Sequence, residues 1–279
     1  MRRNIKGRPS NLIVTFIGGG NMGEAILSAL LQKGLSLPQT ISVSDINELR
    51  LKYLQEKYGV AVVNDNIRAI EKGEIIILAI KPQNLNETMA ELNGRLKSSQ
   101  VMLSIIAGVK IETLRRGLGH QSVVRAMPNT PAQIGEGITV WTATDEVTNQ
   151  QKKLASSIFG AIGKDIYVEN EDHIDMATAI SGSGPAYFFL FLEALIKAAT
   201  EIGLPRKTGE KLALETMIGS GRLLQQSGKK PKELRRLVTS PGGTTAEALL
   251  QFEKGNFDSL VRQAVRAAYN KAKSLGAKQ

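Results

Sequence analysis

The sequence predicts an α/β protein, a parallel sheet domain with flanking helices followed by an all-helical domain. Three observations carry this. Short β-branched runs alternate with helical patterns through about residue 170; a glycine-rich turn joins the first run to the first helix; and from Ile174 onward apolar residues recur at helical spacing. The chain has 279 residues, 42% hydrophobic and 22% charged, which suits one or two folded domains and argues against disorder. It has no cysteine, so thiolate catalysis, Cys-ligated metal and disulfides are excluded, and a reducing, cytoplasmic setting fits. With 36 Lys+Arg against 26 Asp+Glu the net charge is +10, an excess that suits an anionic partner without choosing one.

Taken in order, the basic start with Arg2, Arg3, Lys6 and Arg8 imitates an export leader, but the apolar run after it stops at Gly18–Gly20 rather than at a cleavage site. Residues 1–10 therefore read as a basic flexible tail. Strands are expected at Leu12–Ile17, Ile41–Ser44, Ala61–Val63, Ile75–Ile80, Val101–Ile106, Val123–Met127, Ile138–Trp141 and Ile166–Val168. A continuous apolar run such as Ile75–Ile80 suits a parallel strand buried on both faces. Helices are expected over Pro185–Ile202, Lys207–Gln226 and Ser259–Leu275, with Gly203 and Pro205 stopping the first. The domains divide as 11–172 and 173–279. The most apolar stretch, Pro185–Ile196, is shorter than the roughly 20 residues a membrane span needs and contains Glu193. The apolar faces of the helical half call for burial, for which another subunit is one partner.

Gly18-Gly-Gly20-Asn-Met-Gly23 fits G-x-G-x-x-G directly after a strand and at the start of a helix. Such glycines permit a tight turn and close backbone approach, and the helix N-terminus offers free N–H groups to a pyrophosphate. Asp45 follows the second strand about 20 residues on, where an acid can accept from a ribose hydroxyl. A Rossmann-type dinucleotide site follows. A carboxylate at Asp45 leans toward NAD over NADP unless Arg50, Lys52 or backbone N–H groups compensate; a helix N-cap is the equally supported reading. Lys81 and Pro82, and the Ser104–Gly108 turn, fall at carboxyl ends of strands, where ligands of open α/β sheets lie.

Two stretches of the helical half stand out. Ser181-Gly-Ser-Gly184 precedes an apolar helix and suits close packing. Ser240-Pro-Gly-Gly-Thr-Thr245 precedes another, where Thr244 and Glu247 form a capping-box pattern and the loop suits a substrate carboxylate.

The glycine loop, Ala79-Ile-Lys-Pro82, Met127-Pro-Asn-Thr-Pro131, Ser181-Gly-Ser-Gly-Pro-Ala-Tyr187 and Thr239-Ser-Pro-Gly-Gly-Thr-Thr245, in this order, resemble the 1-pyrroline-5-carboxylate reductase family, from about Leu12 to Leu275. The resemblance implies the last step of proline biosynthesis, NADPH as cofactor with NADH as the alternative, and a homodimer through the C-terminal helices, in some members within a larger ring. Carried over by position, it sets the cofactor against Gly18, Gly20, Asn21, Met22, Asp45, Asn66, Ala79, Ile80, Lys81, Pro82 and Ala107. It sets the substrate against Glu171, Thr244 and Thr245. The chemistry then assigns Thr245 as the catalytic group hydrogen-bonding the substrate nitrogen and the backbone of Gly242, Gly243 and Thr244 to the substrate carboxylate, with no metal expected. Gly19 departs from the alanine usual in the family, and Asp45 from a small hydroxyl residue.

The residues suit that chemistry. Ketone reduction needs a placed acid, and the only histidines, His120 and His173, read as solvated. A cyclic imine needs less, because its nitrogen can arrive protonated and orientation suffices. A β-hydroxyacid dehydrogenase would share the architecture but lacks a convincing lysine here, Lys197 being too far along its helix. A non-enzymatic dinucleotide sensor or DNA-associated protein remains the other class; scattered basic residues and 5% aromatics argue against nucleic acid. Turnover of pyrroline-5-carboxylate, of a hydroxyacid, or of neither separates the three.

Overall fold

The computed structural model describes residues 12–277, so the basic tail expected at 1–10 lies outside the described residues. The chain forms two compact units, one running through Ser183 and resuming at Ala268, the other Gly184–Ala267.

The first unit is built on one eight-stranded sheet: β1 (Val14–Ile17), β2 (Ile41–Ser44), β3 (Ala61–Val63), β4 (Ile75–Leu78), β5 (Val101–Ser104), β6 (Val123–Met127), β7 (Gly137–Ala143) and β8 (Gly163–Tyr167), ordered β3-β2-β1-β4-β5-β6-β7-β8. Every expected strand is present. β4 and β5 stop two residues short of the expected runs, because Ala79–Ile80 and Ile105–Ile106 leave the ladder to enter the loops at the strands' carboxyl ends. One pairing departs from the expected parallel sheet: β6 and β7 are antiparallel, in register Ala126 to Trp141. The link between them holds only a short 3₁₀ turn, Thr130–Ile134, and a parallel crossover needs a dozen or more residues.

The helices of this unit are α1 (Asn21–Gln32), α2 (Glu48–Tyr58), α3 (Asn66–Ile70), α4 (Leu85–Leu92), α5 (Ile111–Leu118), α6 (Asn149–Ala161) and α7 (Asp172–Ala177). The two-residue period of the strands splits the core. Ile75 and Ile77 face a cluster with Ile26 and Leu30 of α1, Leu54 of α2 and Phe159 of α6. Ile76 and Leu78 face the opposite cluster with Ile70 of α3, Met89 of α4 and Leu114 of α5. Both faces of the sheet are covered by apolar helices, which is why its strands read as unbroken apolar runs. The change of sequence pattern at 172/173 marks a change of element type, yet α7 still packs on β6 and β7.

The second unit contains α8 (Gly184–Glu201), α9 (Arg206–Ser227), α10 (Pro231–Leu237), α11 (Thr244–Lys254) and the first part of α12 (Phe257–Ala277). Gly203, at φ +97°, turns the chain after α8 as the stop signal predicts. Phe191, Phe252 and Phe257 form an aromatic cluster with ring centroids 5.5–6.4 Å apart. Around it the helices leave Phe188, Phe189, Leu190, Leu212, Leu223 and Leu260 more than half exposed. The sequence understates the apolar length here. A π-helical segment, Thr178–Gly182, makes Asp172–Glu201 a helical run of 30 residues, long and apolar enough by length and composition alone to meet the requirement for a span.

Candidate cofactor and substrate sites

The glycine turn after β1 divides by what each glycine is for. Gly18 has φ +100°, and a Cβ there would sit 2.6 Å from the Ala79 carbonyl oxygen; a Cβ on Gly23 would sit 2.7 Å from the Gly18 carbonyl oxygen. Gly18 is glycine because the turn closes against the chain leaving β4, and Gly23 because the first turn of α1 packs on the Gly18 carbonyl. Gly20 differs. Its φ is −65°, any residue could adopt its backbone, and a Cβ there would meet no protein atom within 4 Å. The fold does not require glycine at this position, and Gly20 faces a cleft. What glycine leaves open here is room for a ligand to approach the backbone closely. Gly20 is also the N-cap of α1 and no side chain caps the helix, so the first-turn N–H groups stand open to an anion.

The cleft is about 540 Å³ in volume and lies at the carboxyl ends of β1, β2 and β4. Of the residues expected at a cofactor, Gly18, Gly20, Asp45, Asn66, Ala79, Ile80 and Lys81 line it. Four do not: Asn21 opens α1 at the surface, Met22 packs against the core, Pro82 starts a 3₁₀ turn, and Ala107 sits in the turn after β5. Sequence reasoning missed Ile17, Ser44, Ile46, Asn47, Gln83, Asn84, Glu87, Thr88 and Glu91, which complete the lining. Glu87 and Glu91 sit on α4 at a spacing that reads as a solvated helix face, so only tertiary placement reveals them. Asn66 Nδ2 donates to Glu91 Oε2 at 2.6 Å, tying α3 to α4 across the cleft.

Asp45 is not the cap of α2. Asn47 is, its side chain accepting from the Arg50 N–H. Asp45 Oδ2 accepts from the Gly19 N–H at 2.7 Å and Oδ1 from the Asn47 N–H at 2.9 Å, which fixes the carboxylate at the cleft wall. Arg50 Nε donates to the Gly19 carbonyl at 2.5 Å and its guanidinium pairs with Glu24 of α1. Glu24 also accepts from Lys57 Nζ at 2.9 Å, Tyr58 Oη at 2.8 Å and Tyr53 Oη at 3.1 Å. Burial alone would raise the Glu24 pKa, but the donors Lys57, Tyr58 and Arg50 bring it down to about 2. The Tyr53 and Glu24 bonds raise that of Lys57 in turn.

Glu171 stands elsewhere in the first unit. Its Oε1 accepts from the Ile111 N–H, which opens α5, and from Arg125 Nη1, both at 2.8 Å. Arg125, on β6, is 1% exposed and also pairs with the buried Asp175, while Lys110 bridges Asp172 at 2.7 Å and Asp175 at 3.1 Å. His120 is a correction: it is 5% exposed, not solvated, with Nε2 2.9 Å from the Gln100 carbonyl, and burial lowers its pKa. His173 is exposed.

In the second unit the loop Ser240–Gly243 leads into α11. The expected capping box does not form: Gly243, not Thr244, is the N-cap, and no side-chain hydroxyl caps the helix. Thr244 and Thr245 are the first two helical residues, one position inside the helix, so neither hydroxyl is committed to a cap. Gly242 takes φ +69°, which the turn requires of it. The Ser181–Gly184 stretch is no loop; Gly182 ends the π segment, where a Cβ would sit 3.1 Å from Met127 Cε, and this close approach is what its glycine serves.

Comparison with known proteins follows the same division. Residues 171–275 match the family described as pyrroline-5-carboxylate reductase dimerisation, and residues 13–108 that described as NADP oxidoreductase, coenzyme F420-dependent. The pyrroline-5-carboxylate reductase of Synechocystis is 40% identical over 94% of this chain and 97% of its own length. The solved pyrroline-5-carboxylate reductase of Coxiella burnetii superposes with a TM-score of 0.88 at 38% identity, covering 95% of this chain and 99% of that one. That of Plasmodium falciparum, solved with NADP bound, gives 0.87 at 31% identity, covering 97% and 100%.

Proposed function

The chain belongs to the pyrroline-5-carboxylate reductase family, and from that premise we propose how its residues carry the reaction. It is an oxidoreductase that reduces the cyclic imine 1-pyrroline-5-carboxylate to L-proline, the last step of proline biosynthesis. A bound nicotinamide dinucleotide, NADPH or NADH, supplies the hydride. Gly20 carries the assignment of its site: an open, uncapped helix start whose glycine the fold does not need. The first-turn N–H groups of α1 take the pyrophosphate, Asp45 meets the adenosine ribose, and Asn66, Ala79, Ile80 and Lys81 wall the cleft. Asn21, Met22, Pro82 and Ala107 are kept as cofactor neighbours on the resemblance.

The substrate is assigned to the loop before α11, where the backbone of Gly242, Gly243 and Thr244 holds the carboxylate and the Thr245 hydroxyl accepts from the protonated imine nitrogen. Hydride addition to the imine carbon then leaves a neutral secondary amine and asks no side chain for a proton. The placement of the histidines supports this: His120 is buried on a backbone carbonyl and His173 lies outside the cleft lining. Glu171 keeps Oε2 for a substrate contact, its Oε1 being occupied. The proposed reaction calls on no metal.

The helical domain, 173–279 by sequence pattern, is proposed to form a homodimer through its exposed apolar helices, within a larger ring as some relatives of the resemblance imply, with 11–172 as the dinucleotide-binding domain. Neither nucleic acid nor membrane is assigned as partner, and the setting is cytoplasmic, as the absence of cysteine suits. Thr245→Ala tests the substrate assignment. Loss of one hydrogen bond to a charged group predicts a fall of about 10- to 100-fold in kcat/KM for pyrroline-5-carboxylate with the fold intact; full kcat/KM removes the role.

A further inference from the structure

Resting on the reading of the first unit as a dinucleotide site, we infer that Glu24 determines cofactor choice: by holding Arg50 it leaves the cleft wall beside Asp45 without a cation, so the chain favours NADH over NADPH. The two cofactors differ only by a phosphate on the adenosine 2′-oxygen, and an acid at the end of the second strand accepts from the free hydroxyl whereas an arginine nearby receives the phosphate. Both groups are present here, and the bonding decides between them. Asp45 and Arg50 grip the two ends of Gly19, the carboxylate taking its N–H and the guanidinium its carbonyl. The carboxylate lines the cleft and the guanidinium does not.

Arg50 is turned onto Glu24, which also takes Lys57, so α2's two cations nearest the turn in bonding terms end on one carboxylate of α1. Between Asp45 and Leu49 the chain offers Ile46, Asn47 and Glu48 and no cation. Lys52 is exposed with Glu56 3.9 Å away. The charged groups in the lining are Asp45, Glu87 and Glu91 against Lys81 alone, an acidic balance that a further phosphate would meet as repulsion. Glu24 touches no cofactor in this scheme; it is a positioning residue acting through Arg50.

Calorimetric titration of the whole chain with NADH and with NADPH, no substrate present, reads the choice apart from turnover. The wild type is expected to bind NADH at least about tenfold more tightly. Glu24→Gln removes the charge that holds the outer guanidinium nitrogen while the Nε bond to the Gly19 carbonyl keeps Arg50 beside the turn; it is expected to tighten NADPH severalfold with NADH unchanged, and Glu24→Gln with Arg50→Ala to remove that gain. Equal or tighter NADPH binding by the wild type overturns the inference, as does a Glu24→Gln effect that is the same for both cofactors; the wild-type comparison holds even if a variant fails to fold. Selective NADH binding without reduction of pyrroline-5-carboxylate keeps the inference and sinks the reaction. If neither dinucleotide binds, both fall.

Discussion

Single residues separate fold from function most sharply in the glycine turn. Gly18→Ala places a Cβ against the Ala79 carbonyl at positive φ, and the backbone strain alone should cost about 1–3 kcal/mol, read as a lower denaturant midpoint. Gly20→Ala adds a Cβ that meets no protein atom within 4 Å and is expected to leave that midpoint within about 0.5 kcal/mol while dinucleotide affinity drops; equal stability losses for the two would contradict the division. His120 gives a pH test. Burial holds its folded pKa below the ordinary 6.5, so the unfolded chain protonates first and stability falls as pH drops below 6.5 toward the folded value. His120→Gln should flatten that slope in thermal melts between pH 7 and 5. Arg125, buried with two carboxylates, should cost about 3–5 kcal/mol as Arg125→Ala, because Asp175 is left buried and less well paired.

Among the elements, the central strands β1, β4 and β5 were legible because each is buried along its whole length and reads as a nearly continuous apolar run, Ile75–Leu78 being the clearest, whereas the edge strands β3 and β8 are only partly buried. The direction of β7 was not, since it depends on the short link after β6 rather than on the strand's own residues. The α11 start was displaced by one position: Thr-x-x-Glu matches a capping box, but the extended residue is Gly243. The Glu24 cluster joins residues more than 25 apart in sequence, beyond any local pattern. Glu171 ties elements together, accepting from the first N–H of α5 and from Arg125 of β6. Glu171→Gln keeps an acceptor for Ile111 and should melt higher than Glu171→Ala by the equivalent of about 1–2 kcal/mol; a matching change in KM for pyrroline-5-carboxylate would support its substrate contact as well.

For the molecule as a whole, the exposed apolar helices are the surface on which the proposed dimer rests. Light scattering after size exclusion is expected to give at least twice the chain mass, and Leu190→Glu, at a site 68% exposed on α8, to shift the protein toward monomer with its helical content kept; a wild-type monomer would contradict the dimer. The net charge of +10 suits anionic small ligands, although the cleft itself is lined by more acids than bases, so the global excess said little about the site. The central claim is the reaction. Incubating the protein with pyrroline-5-carboxylate and NADH or NADPH, then quantifying L-proline against dinucleotide oxidised, should give one proline per dinucleotide. A folded chain that binds dinucleotide but forms no proline with either donor would contradict it.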